Sequence, residues 1–201
     1  MLTHVDFRDK VLKIVSAIAK VTAQFSDPGR PKDSAALASE LGRVRKWLKF
    51  LRILRNIRNV PQSIVSKKIP ANVRLENLAD LVQMLSEDIH NLHKSGLWSG
   101  LLGLDKIPGI AEFEDQAWFA WALIAAVNAG KELREASVVG DKERMTNASI
   151  SLLKFSCEVG DSLIALTPAD LKRGRERQFV LVSAILGSVS AVCSLHKFVS
   201  T

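Results

Sequence analysis

Apolar residues recur at three- and four-residue spacings along most of the chain, as they do on amphipathic α-helices. One such segment spans residues 5–25, a second runs from about 34 to 60, and a third covers about 72–96. Turn-forming residues separate them at 26–31 and 61–72. The first half of the chain is therefore predicted to form three helices joined by two loops.

The second half contains two segments without any charged residue. The segment 116–130 is shorter than the roughly 20 apolar residues that a membrane span needs, so a core helix, a half-buried segment and a tilted span all fit it. After an amphipathic helix at 141–167, the segment 178–195 is 18 residues long and is flanked by basic residues at 172–177 and at Lys197. We expect a membrane-inserted helix here, with a buried helix of a soluble bundle as the alternative. Small residues within it would let another helix approach closely; they are Gly187, Ser188, Ser190 and Ala191.

Together these patterns predict an all-α, membrane-associated protein of about six amphipathic or apolar helices, with at least one membrane-inserted helix at the C-terminal end. The composition agrees, because 47% of the residues are hydrophobic and only 6% are aromatic.

The net charge of +7 is unevenly distributed. Residues 1–70 hold 15 Lys and Arg against 5 Asp and Glu, whereas residues 71–201 hold 13 against 16. This division predicts a basic N-terminal region that binds a polyanion, either anionic lipid or nucleic acid, and a helical membrane-anchoring region after it.

The strongest candidate for function is the basic, tryptophan-bearing segment 41–60. Its apolar residues form a broad sector beside a polar stripe, and no acidic residue occurs between Glu40 and Glu76. An interfacial helix needs this arrangement, because apolar side chains sink toward the acyl chains while Lys and Arg reach the lipid phosphates. The candidate membrane-binding residues are Arg43, Arg45, Lys46, Trp47, Leu48, Lys49, Phe50, Leu51, Arg52, Leu54 and Arg55.

Two other interpretations of this segment remain open. It is an ordinary core-facing helix if its basic residues are merely solvated. Nucleic-acid binding is less favoured, because few polar side chains are present to contact bases and no nucleic-acid-binding motif occurs.

Residue clusters that could carry chemistry are few. Glu87, Asp88, His90 and His93 share two helical turns. Glu87, His90 and His93 lie three residues apart, but no fourth metal ligand is evident beside them, and a solvated helix face is favoured. Cys157 and Cys193 lie far apart in apolar stretches and are expected to be free, buried thiols. We find no phosphate-binding loop or nucleophile motif, so we expect no enzymatic activity, no cofactor and no metal.

Two segments resemble the peroxin-eleven family of peroxisomal membrane-elongation proteins. Arg8-Asp9-Lys10-Val11-Leu12-Lys13-Ile14 resembles its opening motif, and Arg45-Lys46-Trp47-Leu48-Lys49-Phe50-Leu51 resembles its second, Arg-Lys-aromatic-basic motif. The sequence departs from the family at Asp6-Phe7 and Ser16-Ala17, and beyond Pro70 it matches in pattern more than in identity. We therefore expect a divergent member.

The resemblance implies a peroxisomal or glycosomal membrane protein that elongates the organelle before fission. It also implies self-association and recruitment of dynamin-type fission machinery. An oligomeric metabolite channel is the first alternative function, and a soluble helical interaction module is the second.

Overall fold

The computed structural model describes residues 4–25, 31–49, 64, 66, 68–94 and 108–199. Seven helices and no strand occur in these ranges, which confirms the predicted all-α class. The helices are α1 (His4–Phe25), α2 (Pro31–Lys49), α3 (Ala71–Lys94), α4 (Ile110–Val139), α5 (Lys142–Leu166), α6 (Ala169–Lys172) and α7 (Glu176–Val199).

The helices pack side by side in the order α2, α1, α7, α5, α4, α3, which differs from their order in the sequence. Adjacent helices in this series run antiparallel. The cross-contacts Asp9–Arg45 and Ser16–Ala38 fix the direction of α2 on α1, for example. For α1 and α7 the contacts are Phe25–Arg177 and Lys13–Gly187. For α5 and α7 they are Asp161–Ser183 and Glu158–Ser190. For α3 and α4 they are Asn72–Asn128 and His90–Glu114.

A tight turn joins α4 to α5. Gly140 has φ 77°, a left-handed conformation that glycine adopts without steric cost, and the amide of Asp141 closes the end of α4 by donating to the Ala136 carbonyl at 3.1 Å. The Asp141 carboxylate then accepts a hydrogen bond from the Arg144 amide at 3.0 Å, so it caps the start of α5. Two residues therefore end one helix and begin the next, which brings α4 and α5 into antiparallel contact.

The boundaries predicted for α1, α3 and α5 agree with the structure to within two residues. Helix α2 begins at Pro31, three residues before the predicted start, and α7 extends to Val199, four residues beyond the predicted segment. The uncharged segment 116–130 lies inside the 30-residue helix α4, which continues in both directions into charged turns. Residues 50–60 of the predicted helix at 34–60 lie outside the described residues, as do residues 26–30 of the first predicted loop and residues 61–63, 65 and 67 of the second.

Small side chains fill the contacts between the helices. The buried apolar residues are alanines together with Met84, Cys157 and Cys193. On α4 the buried alanines follow a heptad-like spacing, and on α5 Ala148, Ser151, Glu158 and Ser162 do the same. The helix axes can approach closely along these seams because little side-chain volume separates them.

Candidate membrane-contacting site

The distribution of bulky apolar side chains is the reverse of that in a water-soluble core. Soluble domains bury Leu, Ile, Val and Phe, whereas here the largest side chains with less than 2% exposure are Gln83, Ser86 and Ser190. Twenty-three large hydrophobic side chains are exposed among the described residues. Helices that pack within lipid show this arrangement, with small and polar residues at the helix contacts and bulky apolar residues outside.

On α1 the apolar face predicted from the sequence lies outward. Val11 is 37% exposed, Val15 41% and Ile18 59%, whereas the opposite face places Asp9 and Ser16 in the interior. The prediction of an amphipathic helix was correct. Periodicity does not specify the medium that the apolar face contacts, and here that face is not covered by another described helix.

Helix α3 repeats the same inversion. Four of its exposed apolar residues lie three, four and three positions apart along one face, and its buried residues are Gln83, Met84, Ser86 and Glu87. The four are Leu75, Leu78, Val82 and Leu85, and Val73 is exposed as well.

Helix α7 is long and apolar enough to cross a membrane. Its candidate span Glu176–Lys197 has 22 residues, so its length is about 33 Å against a hydrocarbon thickness of about 30 Å. Only 33% of the most apolar window is buried in the protein, whereas the core helix of a soluble bundle is mostly buried. The exposed residues include Val182, Ile185 and Val192, and the small residues face α1 and α5.

The predicted close approach along the small residues of α7 is present. A Cβ added to Gly187 would lie 3.4 Å from Cε of Lys13 on α1. Across the contact with α5, a Cβ added to Gly160 would lie 3.0 Å from a methyl group of Leu186. Both glycines therefore lie at contacts between α7 and its neighbours.

A buried carboxylate joins four helices at the centre of the series. Glu158 of α5 is 3% exposed. Its Oε1 accepts hydrogen bonds from Lys13 Nζ of α1 at 3.1 Å and from the Ser190 hydroxyl of α7. Its Oε2 accepts a hydrogen bond from Trp118 Nε1 of α4 at 3.1 Å. The Lys13 ammonium and the Ser190 hydroxyl both favour the ionised form of this carboxylate.

Glu158 was not among the residues predicted from the sequence. Lys13 and Glu158 are 145 positions apart, so no local spacing connects them. One signal was available, because Glu158 is the acidic member of a heptad-spaced set that otherwise holds Ala148, Ser151 and Ser162. An ionisable residue within a small-residue seam marks a buried polar contact.

Of the candidate membrane-binding residues, Arg45 is the one whose side chain is described. Its Nε donates to Asp9 Oδ1 at 3.1 Å, and the Arg45 side chain is 20% exposed. The backbone of α2 is helical through Lys49, but the side chains of Arg43, Lys46, Trp47, Leu48 and Lys49 lie outside the described part. Phe50, Leu51, Arg52, Leu54 and Arg55 lie outside it altogether.

The Asp9–Arg45 ion pair links the two segments that resemble the peroxin-eleven motifs. Asp9 belongs to the first and is buried at 3% exposure, with Lys10 Nζ 3.8 Å from its other oxygen, while Arg8 points to the exposed side of α1. Arg45 belongs to the second. The contact ties the start of the basic segment to α1.

The histidine-bearing cluster on α3 makes a protein contact. His90 Nδ1 is hydrogen-bonded to Glu114 of α4. Among the described residues, no group of three His, Cys, Asp or Glu side chains is placed to hold a metal ion. Cys157 and Cys193 are free and buried, on α5 and α7.

Comparisons with protein-family models, with curated proteins and with solved structures give no match.

Proposed function

We propose that this chain is a non-enzymatic membrane protein that is anchored through α7 and curves its bilayer by inserting the basic helix at 41–60. By the resemblance of its two motifs, the membrane is peroxisomal or glycosomal, and the curvature elongates the organelle before fission. Anionic phospholipid, further copies of the chain and dynamin-type fission machinery are the proposed partners.

The reversed distribution of side chains is the observation that carries the membrane location. Ala191 of α7 is fully buried while Ile185 on the opposite face is 59% exposed, and α1 and α3 follow the same rule. Each fully buried Leu, Ile, Val or Phe contributes about 1.5–3 kcal/mol, so leaving so many in water forfeits a large stabilisation. Contact with lipid recovers it.

Insertion of the basic helix supplies the proposed curvature. Its apolar side chains enter one leaflet while seven Lys and Arg residues between Arg43 and Arg58 stay at the phosphates. Each basic side chain contributes about 1 kcal/mol at an anionic surface. Added volume in one leaflet expands that leaflet relative to the other, which bends the bilayer.

The test is tubulation of anionic vesicles that contain the full-length chain. We expect Leu48→Glu/Leu51→Glu to abolish tubulation, because two carboxylates then replace apolar groups in the inserted sector. The matched control is Asn56→Glu/Asn59→Glu. It changes the charge equally, but these two residues lie on the polar stripe of the helix, with Arg45, Lys49 and Arg52. Equal loss in both variants would assign the effect to charge and overturn the insertion mechanism.

A soluble interaction module is the alternative that alkaline carbonate extraction decides. An integral protein stays in the membrane pellet after extraction. Release of the chain into the supernatant would contradict anchoring through α7.

An oligomeric channel for small metabolites is the second candidate, and the polar interior around Glu158 favours it. In a channel, Glu158→Gln would change the ion selectivity of currents recorded in planar bilayers. The membrane-curving proposal expects no discrete current from either form.

A further inference from the structure

A groove opens between four helices near the start of α7. It has a volume of about 500 Å³ and is lined by residues of α1, α2, α5 and α7, with Lys172 of α6 at its side. Sites for small organic molecules commonly measure about 300–1,000 Å³. The groove is therefore large enough for a ligand.

The walls of the groove are mostly apolar. Ala23 of α1, Ala35 and Ala38 of α2, and Phe179 and Val180 of α7 line it. Small residues on one wall and larger apolar groups on the other leave an elongated space between helices, which suits a hydrocarbon chain better than a polar metabolite.

Cationic side chains border the same space. Lys20 and Lys172 both line the groove, together with one acid, Glu176. The Glu176 carboxylate accepts from the Gly174 amide at 2.9 Å. Lys172 Nζ donates to the Ala165 carbonyl at 3.2 Å, and an ammonium has two further donors. The lining has a net charge of +1.

More positive charge lies close by in the sequence and in space. Arg173, Arg175 and Arg177 follow Lys172, and the guanidinium of Arg177 lies 4.9 Å from the ring centroid of Phe25 at the end of α1. The groove therefore combines an apolar interior with a cationic border, the complement of an amphiphile with an anionic head.

The position of the groove favours a lipid of the surrounding bilayer. Glu176 is the first residue of the candidate span, so this end of α7 lies where the apolar core of a membrane meets the headgroups. We propose that the groove binds one acyl chain of an anionic phospholipid and that Lys20 and Lys172 contact its phosphate. This inference rests on the proposed membrane anchoring, but it is separate from the basic helix at 41–60.

Photo-crosslinking in vesicles tests the site. The full-length chain is reconstituted in phosphatidylcholine vesicles with a trace of phosphatidylserine that carries a photoreactive acyl chain, and labelled peptides are mapped by mass spectrometry. We expect label on α1 and α7 residues of the groove, several-fold above that from a photoreactive phosphatidylcholine.

Three variants make the test specific. Lys20→Ala and Lys172→Ala should each lower labelling by about fivefold, since each basic residue near an anionic headgroup contributes a comparable factor. Ala35→Phe places a ring in the groove from an exposed position of α2 and should exclude the acyl chain. The control Lys131→Ala/Lys142→Ala removes exposed lysines toward the opposite end of the bundle and should leave labelling unchanged.

Several outcomes overturn the site. Equal labelling by the two phospholipids, or labelling insensitive to Lys20→Ala and Ala35→Phe, would contradict it. Preferential labelling by photoreactive oleic acid, with none by phosphatidylserine, would assign the groove to a free fatty acid instead. Absent groove labelling in a chain that resists carbonate extraction refutes the site alone, whereas release by carbonate refutes both the site and the anchoring.

Discussion

At the scale of single residues, the interior of this bundle contains one charged contact that is costly to desolvate. Glu158 and Lys13 are 3% and 13% exposed in their side chains, and attraction between buried charges offsets their desolvation only when hydrogen bonds satisfy both groups. The Trp118 indole and the Ser190 hydroxyl provide those bonds to the carboxylate. Glu158 therefore holds α1, α4 and α7 on α5.

Neutralising Glu158 should destabilise the protein strongly. Glu158→Gln leaves the Lys13 ammonium buried without its counter-charge, and loss of one member of a buried ion pair costs about 3–5 kcal/mol. Chemical unfolding of the detergent-solubilised chain measures the change. Lys13→Met/Glu158→Gln should recover part of the loss, and exposed Glu143→Gln should have little effect. A single variant as stable as the double variant would contradict the pairing.

The Asp9–Arg45 pair leads to a prediction about lipid binding. Asp9→Asn frees the Arg45 guanidinium from its carboxylate, so Arg45 becomes able to contact lipid phosphate. We expect affinity for anionic vesicles to rise by about fivefold, as measured by co-flotation. Glu143→Gln, which raises the net charge equally, is the control. An equal gain in both variants would mean that only net charge matters.

At the scale of helices, sequence periodicity predicted the elements but not their orientation. The spacing of Val11, Val15 and Ile18 predicts one apolar face of α1, and the structure contains that helix. Whether this face points into the bundle or outward depends on whether water or lipid surrounds the helix. The spacing of apolar residues carries no information about that medium. The Glu158 contacts could not be predicted because they join residues of four distant segments.

The two faces of α7 should respond oppositely to added volume. Ala191 is fully buried and Val192 is 55% exposed. Ala191→Leu should destabilise the protein by about 1–3 kcal/mol, because the added carbons must displace packed helices, whereas Val192→Leu should be nearly neutral. Thermal unfolding in detergent compares these adjacent substitutions. Equal effects would contradict the assigned orientation of α7.

At the scale of the whole molecule, the described helices form an antiparallel series in which small and polar side chains fill much of the interior and many large apolar side chains are exposed. This distribution supports the proposed membrane location. The basic segment begins in α2, where Arg45 pairs with Asp9. In the proposed function, anchoring through α7 keeps the basic helix close to the membrane, so this helix alone need bind lipid only modestly.

Lipid exposure of Ile185 is the sharpest test of the proposed anchoring through α7. A nitroxide is attached at Ile185→Cys in a vesicle-reconstituted chain whose Cys157 and Cys193 are replaced by Ser, and its collision rates with oxygen and with a polar nickel complex are compared. We expect frequent collisions with oxygen, which concentrates in the hydrocarbon, and rare collisions with the nickel complex. Frequent collisions with the nickel complex would place this face of α7 in water and contradict the proposed anchoring.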